Sequence, residues 1–163
     1  MTNPIASSET FFGLDNFLCF DIYSANHAMN RAYKPLLDKL GLTYPQYIVM
    51  VVLWEKDGKT VKQLGERLFL ASNTLTPLLK RLEKMDYLTR QRDPSDERQV
   101  LIYLTQQGKA LEERARNIPS CIINATGLSP ETLQYLQAKM ALLRSNLEVA
   151  VETGTLTDNF NDE

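Results

Sequence analysis

Two thiols and one imidazole make up the soft chemistry of this chain: Cys19, Cys121 and His27. They are too few and too dispersed for a typical structural zinc site, and neither a metal nor another cofactor is expected. Cys19 lies in FLCFDIYSA, residues 17–25, among phenylalanines on a helix-like stretch. A cysteine in such a place is either inert filler or a reactive thiol. Two distant cysteines are not a disulfide framework in a reducing compartment. They are two buried small residues or a switchable pair, and the residues alone leave both readings open. His27 has no recognisable partner nearby and reads as a surface or lightly packed residue.

A second set of residues suits a polyanion. Between Thr60 and Arg92 stand seven bases and three acids, a local charge of +4. The whole chain carries −2, so the remainder is −6. A basic face on an acidic body is compatible with DNA binding. Ser72, Asn73, Thr74 and Thr76 open a helical stretch, and Lys80, Arg81 and Lys84 follow one to two turns later. Small polar side chains at a helix start can read base edges, while the bases behind them reach phosphates. Arg90, Arg92 and Arg98 surround a charged turn, DPSDER. Asp96 and Arg98 are two apart, which on a strand puts them on one side. The carboxylate is then expected to brace the Arg98 guanidinium, and arginine there can enter a narrow minor groove.

These residues need elements to hold them. Leu18, Ile22, Ala25, Met29, Ala32, Leu36 and Leu40 recur at threes and fours, which predicts a helix from about 14 to 40. Asp15 is its expected cap, Pro35 should kink or split it, and Gly41 should end it. Thr43 with Gln46, and Thr60 with Gln63, form capping boxes for two further helices. After the turn FLAS, Ser72 or Asn73 should cap the helix that carries the polar face. Tyr87–Arg92 and Gln99–Leu104 read as a β-hairpin. A helix from Thr105 should run to about Asn117, with Pro119 bending any continuation to Ala125. Ser129 and Pro130 open a last helix reaching about Val151. Residues 1–13 look like a flexible arm, and the acidic tail 152–163 is expected to be disordered.

The chain has 163 residues, with 44% hydrophobic and 23% charged. That is an ordinary soluble composition and favours one domain, residues 14–151. No apolar run is long enough to span a bilayer, and the N-terminus does not read as a secretion signal. A cytoplasmic protein without a membrane partner is therefore expected. The fold class is mainly α with a small β-hairpin wing: a winged helix–turn–helix over about 43–104, flanked by helices at about 14–40 and 105–151.

The segment TLTPLLKRLEKMDYLTRQRDPSDERQVLIYLTQQG resembles the signature of MarR-type transcriptional regulators, and the resemblance extends from residue 14 to about 150. It implies an entwined helical homodimer that carries two winged domains and binds pseudo-palindromic operator DNA, commonly as a repressor. LCFDIYSANHAMNRAYKPLLDKLGLTYPQY closely resembles one branch, the organic hydroperoxide resistance regulators. That branch implies Cys19 as the peroxide-reactive thiol, hydrogen-bonded by Tyr33 and Tyr44 of the partner subunit. Tyr33 lies 14 residues beyond Cys19, roughly 21 Å along a straight helix, so it cannot serve its own chain's sulfur without a fold-back. A third tyrosine, Tyr23, also accompanies the motif. The resemblance further implies Cys121 as a resolving thiol that forms an intersubunit disulfide and releases DNA. Two departures concern base reading: Ala71 stands where the family often has aspartate, and Asn73 where a related sensor carries glycine. Three alternatives are a MarR-type regulator governed by an aromatic ligand, a cysteine peroxidase, and a protein-interaction module that kept the winged fold. An enzyme would not need the recognition face and wing, so no enzymatic activity is expected.

Overall fold

The computed structural model describes residues 13–158. The expected N-terminal arm lies outside the described residues except for Gly13, as does the acidic tail beyond Asp158. The chain divides between Ile122 and Ile123 into two compact units. The second unit is built on a helix that buries none of its residues.

The first unit begins with a 3-10 turn, Leu14–Asn16, followed by α1, Leu18–Asp38. Asp15 lies inside that turn and does not cap α1; Phe17 holds the cap position without a side-chain bond. Its carbonyl receives the amides of Phe20 and Asp21 at 2.9 and 3.2 Å, which is all a cap requires of its backbone. Cys19 is therefore the second residue of α1, within the first turn. Pro35 does not split the helix. A proline removes one intrahelical hydrogen bond, and the turns on either side keep theirs. The stop is as expected: Gly41 adopts φ +69°, and the Leu42 amide returns to the Leu37 carbonyl at 3.1 Å.

Both capping boxes form. Gln46 accepts the Thr43 amide at 2.8 Å and starts α2, Tyr44–Glu55, with Pro45 in its first turn. Gln63 accepts the Thr60 amide at 2.9 Å, and Thr60 Oγ1 accepts the Gln63 amide at 3.1 Å, starting α3, Val61–Leu68. The next helix, α4, is Ser72–Lys84, and its cap is Ala71. The Ala71 carbonyl receives the Thr74 and Leu75 amides at 3.0 and 3.1 Å. Ser72 and Asn73 thus occupy the first turn and neither caps it. Leu64, Leu75, Leu79 and Leu82 are completely or almost completely buried beside Met50, Leu53 and Val49 of α2. This leucine-rich core fixes which side of α4 faces outward.

The hairpin pairs β2, Leu88–Arg92, with β3, Val100–Leu104, in antiparallel register from Leu88↔Leu104 to Arg92↔Val100. A third strand, β1, is only Lys59–Thr60 and pairs with β3 through Lys59↔Ile102 and Thr60↔Leu101. The sheet order is β1-β3-β2. Because Thr60 also caps α3, this short strand sets the first turn of α3 beside the wing.

Thr105 opens α5, Gln106–Ala115, by accepting the Gly108 amide at 2.9 Å. The expected longer helix is interrupted at Arg116 and Asn117, and α6 runs from Ile118 to Thr126. Pro119 therefore stands in the first turn of a new helix, where a missing amide costs least, instead of bending an old one. Helix α5 lies so close to the preceding segment that a Cβ on Gly108 would sit 1.9 Å from the Tyr87 carbonyl oxygen. The Gly108 carbonyl in turn accepts the Trp54 indole N–H at 2.9 Å.

In the second unit, Ser129 caps α7, Pro130–Glu152, accepting the Thr132 amide at 3.2 Å. Part of the tail expected to be disordered is instead a short helix, α8, Thr155–Asp158. Among the described residues no helix is long and apolar enough to cross a membrane.

Candidate functional site

The outward side of α4 carries the polar set. Ser72, Asn73, Thr74 and Thr76 are exposed in its first turns, and Lys80, Arg81 and Lys84 are exposed further on. Thr76 Oγ1 donates to the Ser72 carbonyl at 2.8 Å. Pro77 has no N–H to offer, so the Asn73 carbonyl lacks its usual helical donor. The start of α4 thus presents polar side chains outward.

Two charged residues of the wing are engaged within the chain. Arg90 is committed to Glu83 of α4: its Nη2 lies 2.6 Å from Glu83 Oε2, and its Nε donates to the same oxygen at 2.8 Å. Both side chains are about two-thirds buried. Arg90 therefore ties the wing to α4. Asp96 does not brace the Arg98 guanidinium. Its carboxylate accepts the Arg98 backbone amide at 3.1 Å and Gln99 Nε2 at 3.0 Å. The reason is that β2 ends at Arg92 and β3 starts at Val100, so both residues lie in the connecting turn and strand alternation does not apply. Asp93 completes that turn by accepting Ser95 Oγ at 2.6 Å and the Ser95 amide at 2.8 Å. The Ser95 side-chain bond foremost, with its amide, holds the Asp93 carboxyl below the usual carboxylate range. Two aspartates shape the wing tip, and Arg92 and Arg98 are left exposed on it.

Both thiols are free and exposed within the single chain. Cys19 sits in the first turn of α1, the positive end of the helix macrodipole, where an anion is favoured. On the same helix Leu18, Ile22, Tyr23 and Met29 are exposed by 38–59%, apolar surface without cover in its own unit. His27 does have a neighbour: its ring meets Tyr23 edge-on, with centroids 4.4 Å apart. Cys121 lies in α6.

Tyr33 of α1 and Tyr44 of α2 are brought together, with ring centroids 4.8 Å apart. Tyr47, which the sequence reading assigned no role, joins them at 6.0 Å from Tyr33 and continues edge-on to Trp54 at 6.2 Å. Its position three residues after Tyr44 on the same helix was the available signal. Burial, then the neighbouring Tyr44 and Tyr47, push the Tyr33 phenol up to about 12. Burial, then Tyr44, raises that of Tyr47 as well. Tyr33 thus remains a hydrogen-bond donor at any neutral pH.

An alkaline titration followed by phenolate absorbance checks this. Tyr33 should keep its proton at pH 10, where an ordinary tyrosine is half ionised, and lose it near pH 12. The unfolded chain ionises first, so the stability this phenol contributes is present below pH 10 and is lost as the pH climbs toward 12. If Tyr33→Phe removes a phenol that titrates at the ordinary value, the buried cluster is wrong.

Residues 31–114, from α1 to the end of α5, match a family model described as transcriptional regulator SarA/Rot. The chain is 47% identical to the organic hydroperoxide resistance transcriptional regulator of Bacillus subtilis (strain 168) over 134 residues, 82% of this chain and 91% of that one. Among solved structures it resembles AbfR of Staphylococcus epidermidis, with 36% identity, a TM-score of 0.71, and coverage of 88% of this chain and 99% of that one. Against reduced AbfR bound to DNA the TM-score is 0.70, at 35% identity and 82% and 93% coverage. Against disulfide-formed AbfR it is 0.55, at 37% identity and 85% and 92% coverage.

Proposed function

The chain belongs to the organic hydroperoxide resistance branch of the MarR-type winged-helix transcriptional regulators, not to an enzyme family, and from that membership we propose a homodimeric DNA-binding repressor that senses organic hydroperoxides through Cys19. The observation that carries the proposal is the separation of its parts. Cys19 and Tyr33 stand on one unbroken helix, 14 residues and therefore about 21 Å apart. The Tyr33–Tyr44 cluster thus cannot reach its own chain's thiol, whereas antiparallel α1 helices of two chains would bring each cluster to the other's Cys19. The uncovered apolar surface on α1 supports such a pairing. The exposed Leu136, Met140 and Leu147 of α7 are separate support for an entwined dimer.

The chemistry then runs in two steps. The Cys19 thiolate, held by phenolic hydrogen bonds, attacks one peroxide oxygen. An S–O bond forms, the O–O bond breaks, and the alcohol leaves after taking a proton. The resulting sulfenic acid condenses with the partner's Cys121 thiol, forming S–S and releasing water. Ser72, Asn73, Thr74 and Thr76 read the operator, Lys80 and Arg81 hold phosphates, and Arg92 and Arg98 serve the wing. The two heads must meet major grooves about 34 Å apart, so a crosslink that shifts their spacing releases DNA.

The aromatic-ligand alternative has one observation in its favour, a groove of about 300 Å³ beside Tyr47, Trp54 and Pro119. Non-reducing electrophoresis after one equivalent of cumene hydroperoxide separates the two readings. The wild type should run as a covalent dimer, and Cys121→Ser should run as a monomer. An intrachain disulfide, or a wild type that stays uncrosslinked yet leaves DNA, would rule out the intersubunit lock.

A further inference from the structure

A groove of about 580 Å³ lies between the first turn of α3 and the base of the wing. Its walls include Lys62, Gln63 and Glu66 on one side and Arg98, Gln99 and Val100 on the other. The pairing Thr60↔Leu101 sets these walls opposite each other. Two cations belonging to different elements, Lys62 and Arg98, thus line one polar channel.

We propose that this channel seats the sugar–phosphate backbone of one DNA strand, with Lys62 as a phosphate-contacting residue opposite Arg98. The proposal rests on the DNA-binding reading above and adds a third contact surface to it. The strand it would hold is the one between the major groove read by α4 and the minor groove reached by the wing, because the first helix of a helix–turn–helix crosses the backbone there. Lys62 is free to serve: its side chain is 87% exposed, and its pair with Glu66 is long, at 3.9 Å. An exposed pair of that kind contributes little and yields readily to a phosphate. The first turn of α3 adds its positive end to the same wall. Glu66 is the one acid in the channel and opposes the phosphates, which gives the proposal a gain-of-affinity test.

The experiment measures anisotropy of a labelled mixed-sequence duplex of about 30 base pairs against the reduced protein, across a salt series. Each phosphate contact contributes about 0.9 to the slope of log K against log salt. Lys62→Ala should lower the dimer's slope by about 2 and weaken binding on the order of tenfold at moderate salt. Glu66→Gln should tighten binding by about threefold, since it removes a like charge and releases Lys62. A Lys62→Ala slope equal to wild type, or Glu66→Gln binding no tighter, overturns the channel while a steep wild-type slope keeps the DNA reading. A wild type without salt dependence overturns both. Both side chains are exposed, so the fold survives either change, which thermal melting verifies.

Discussion

Cys19→Ser is expected to bind operator DNA as the wild type does and to stay bound when organic hydroperoxide is added. The side chain is exposed in the first turn of α1, so a hydroxyl in place of the thiol disturbs no packing. None of the residues proposed to read DNA lies on that helix. What disappears is the nucleophile: a serine hydroxyl does not ionise near neutrality, and its oxygen cannot accept the peroxide's oxygen and later pass it on as water. In anisotropy measurements, one equivalent of peroxide should reduce wild-type affinity by about tenfold or more, within the range of coupling free energies, and leave Cys19→Ser unchanged. If the variant is released by peroxide as readily as wild type, sensing resides elsewhere and the aromatic-ligand alternative leads.

Gly108→Ala should have the largest effect on stability. The added Cβ would sit 1.9 Å from the Tyr87 carbonyl oxygen, 2.9 Å from its carbon and 3.3 Å from Leu104 Cδ2. Two of these are backbone atoms and cannot rotate away. To relieve the clash α5 must withdraw, which strains three bonds. They are Trp54 Nε1 to the Gly108 carbonyl, the Thr105 amide to the Tyr87 carbonyl at 3.2 Å, and Thr105 Oγ1 to the Asp86 carbonyl at 2.5 Å. A loss of about 3 kcal/mol or more is expected, the upper range for overpacking. This corresponds to a fall in Tm on the order of 10 °C, read by thermal unfolding. A variant melting within about 2 °C of wild type would show that α5 backs off at little cost.

How much of this was legible depended on how far apart the cooperating residues stand. The capping boxes at Thr43–Gln46 and Thr60–Gln63 span three residues, and the helices begin where those boxes say. The positions of Asp15 and Ser72 misled because a cap is defined by backbone geometry, and Phe17 and Ala71 supply that without a polar side chain. Strand β1 has two residues, too few for any alternation to register. The polar face of α4 was legible because its leucines recur with helical spacing. The partners of Arg90 and Asp96 were not, because the chain's path around the turns decides which donor each carboxylate meets. Gly108 gave no signal, since its need for hydrogen in place of a side chain comes from Tyr87, on another segment. Tyr33 and Tyr44 were singled out only through the family resemblance.

The Glu83–Arg90 pair bears on how such a repressor lets go. In the proposed dimer, a wing joined to α4 by this pair would move with the helix, and the gap between the two heads would become the quantity that oxidation changes, as with the jaws of a calliper. Release would then take the form of a misfit against the pitch of the double helix. Removing the pair with Glu83→Gln would give the wing play against the helix.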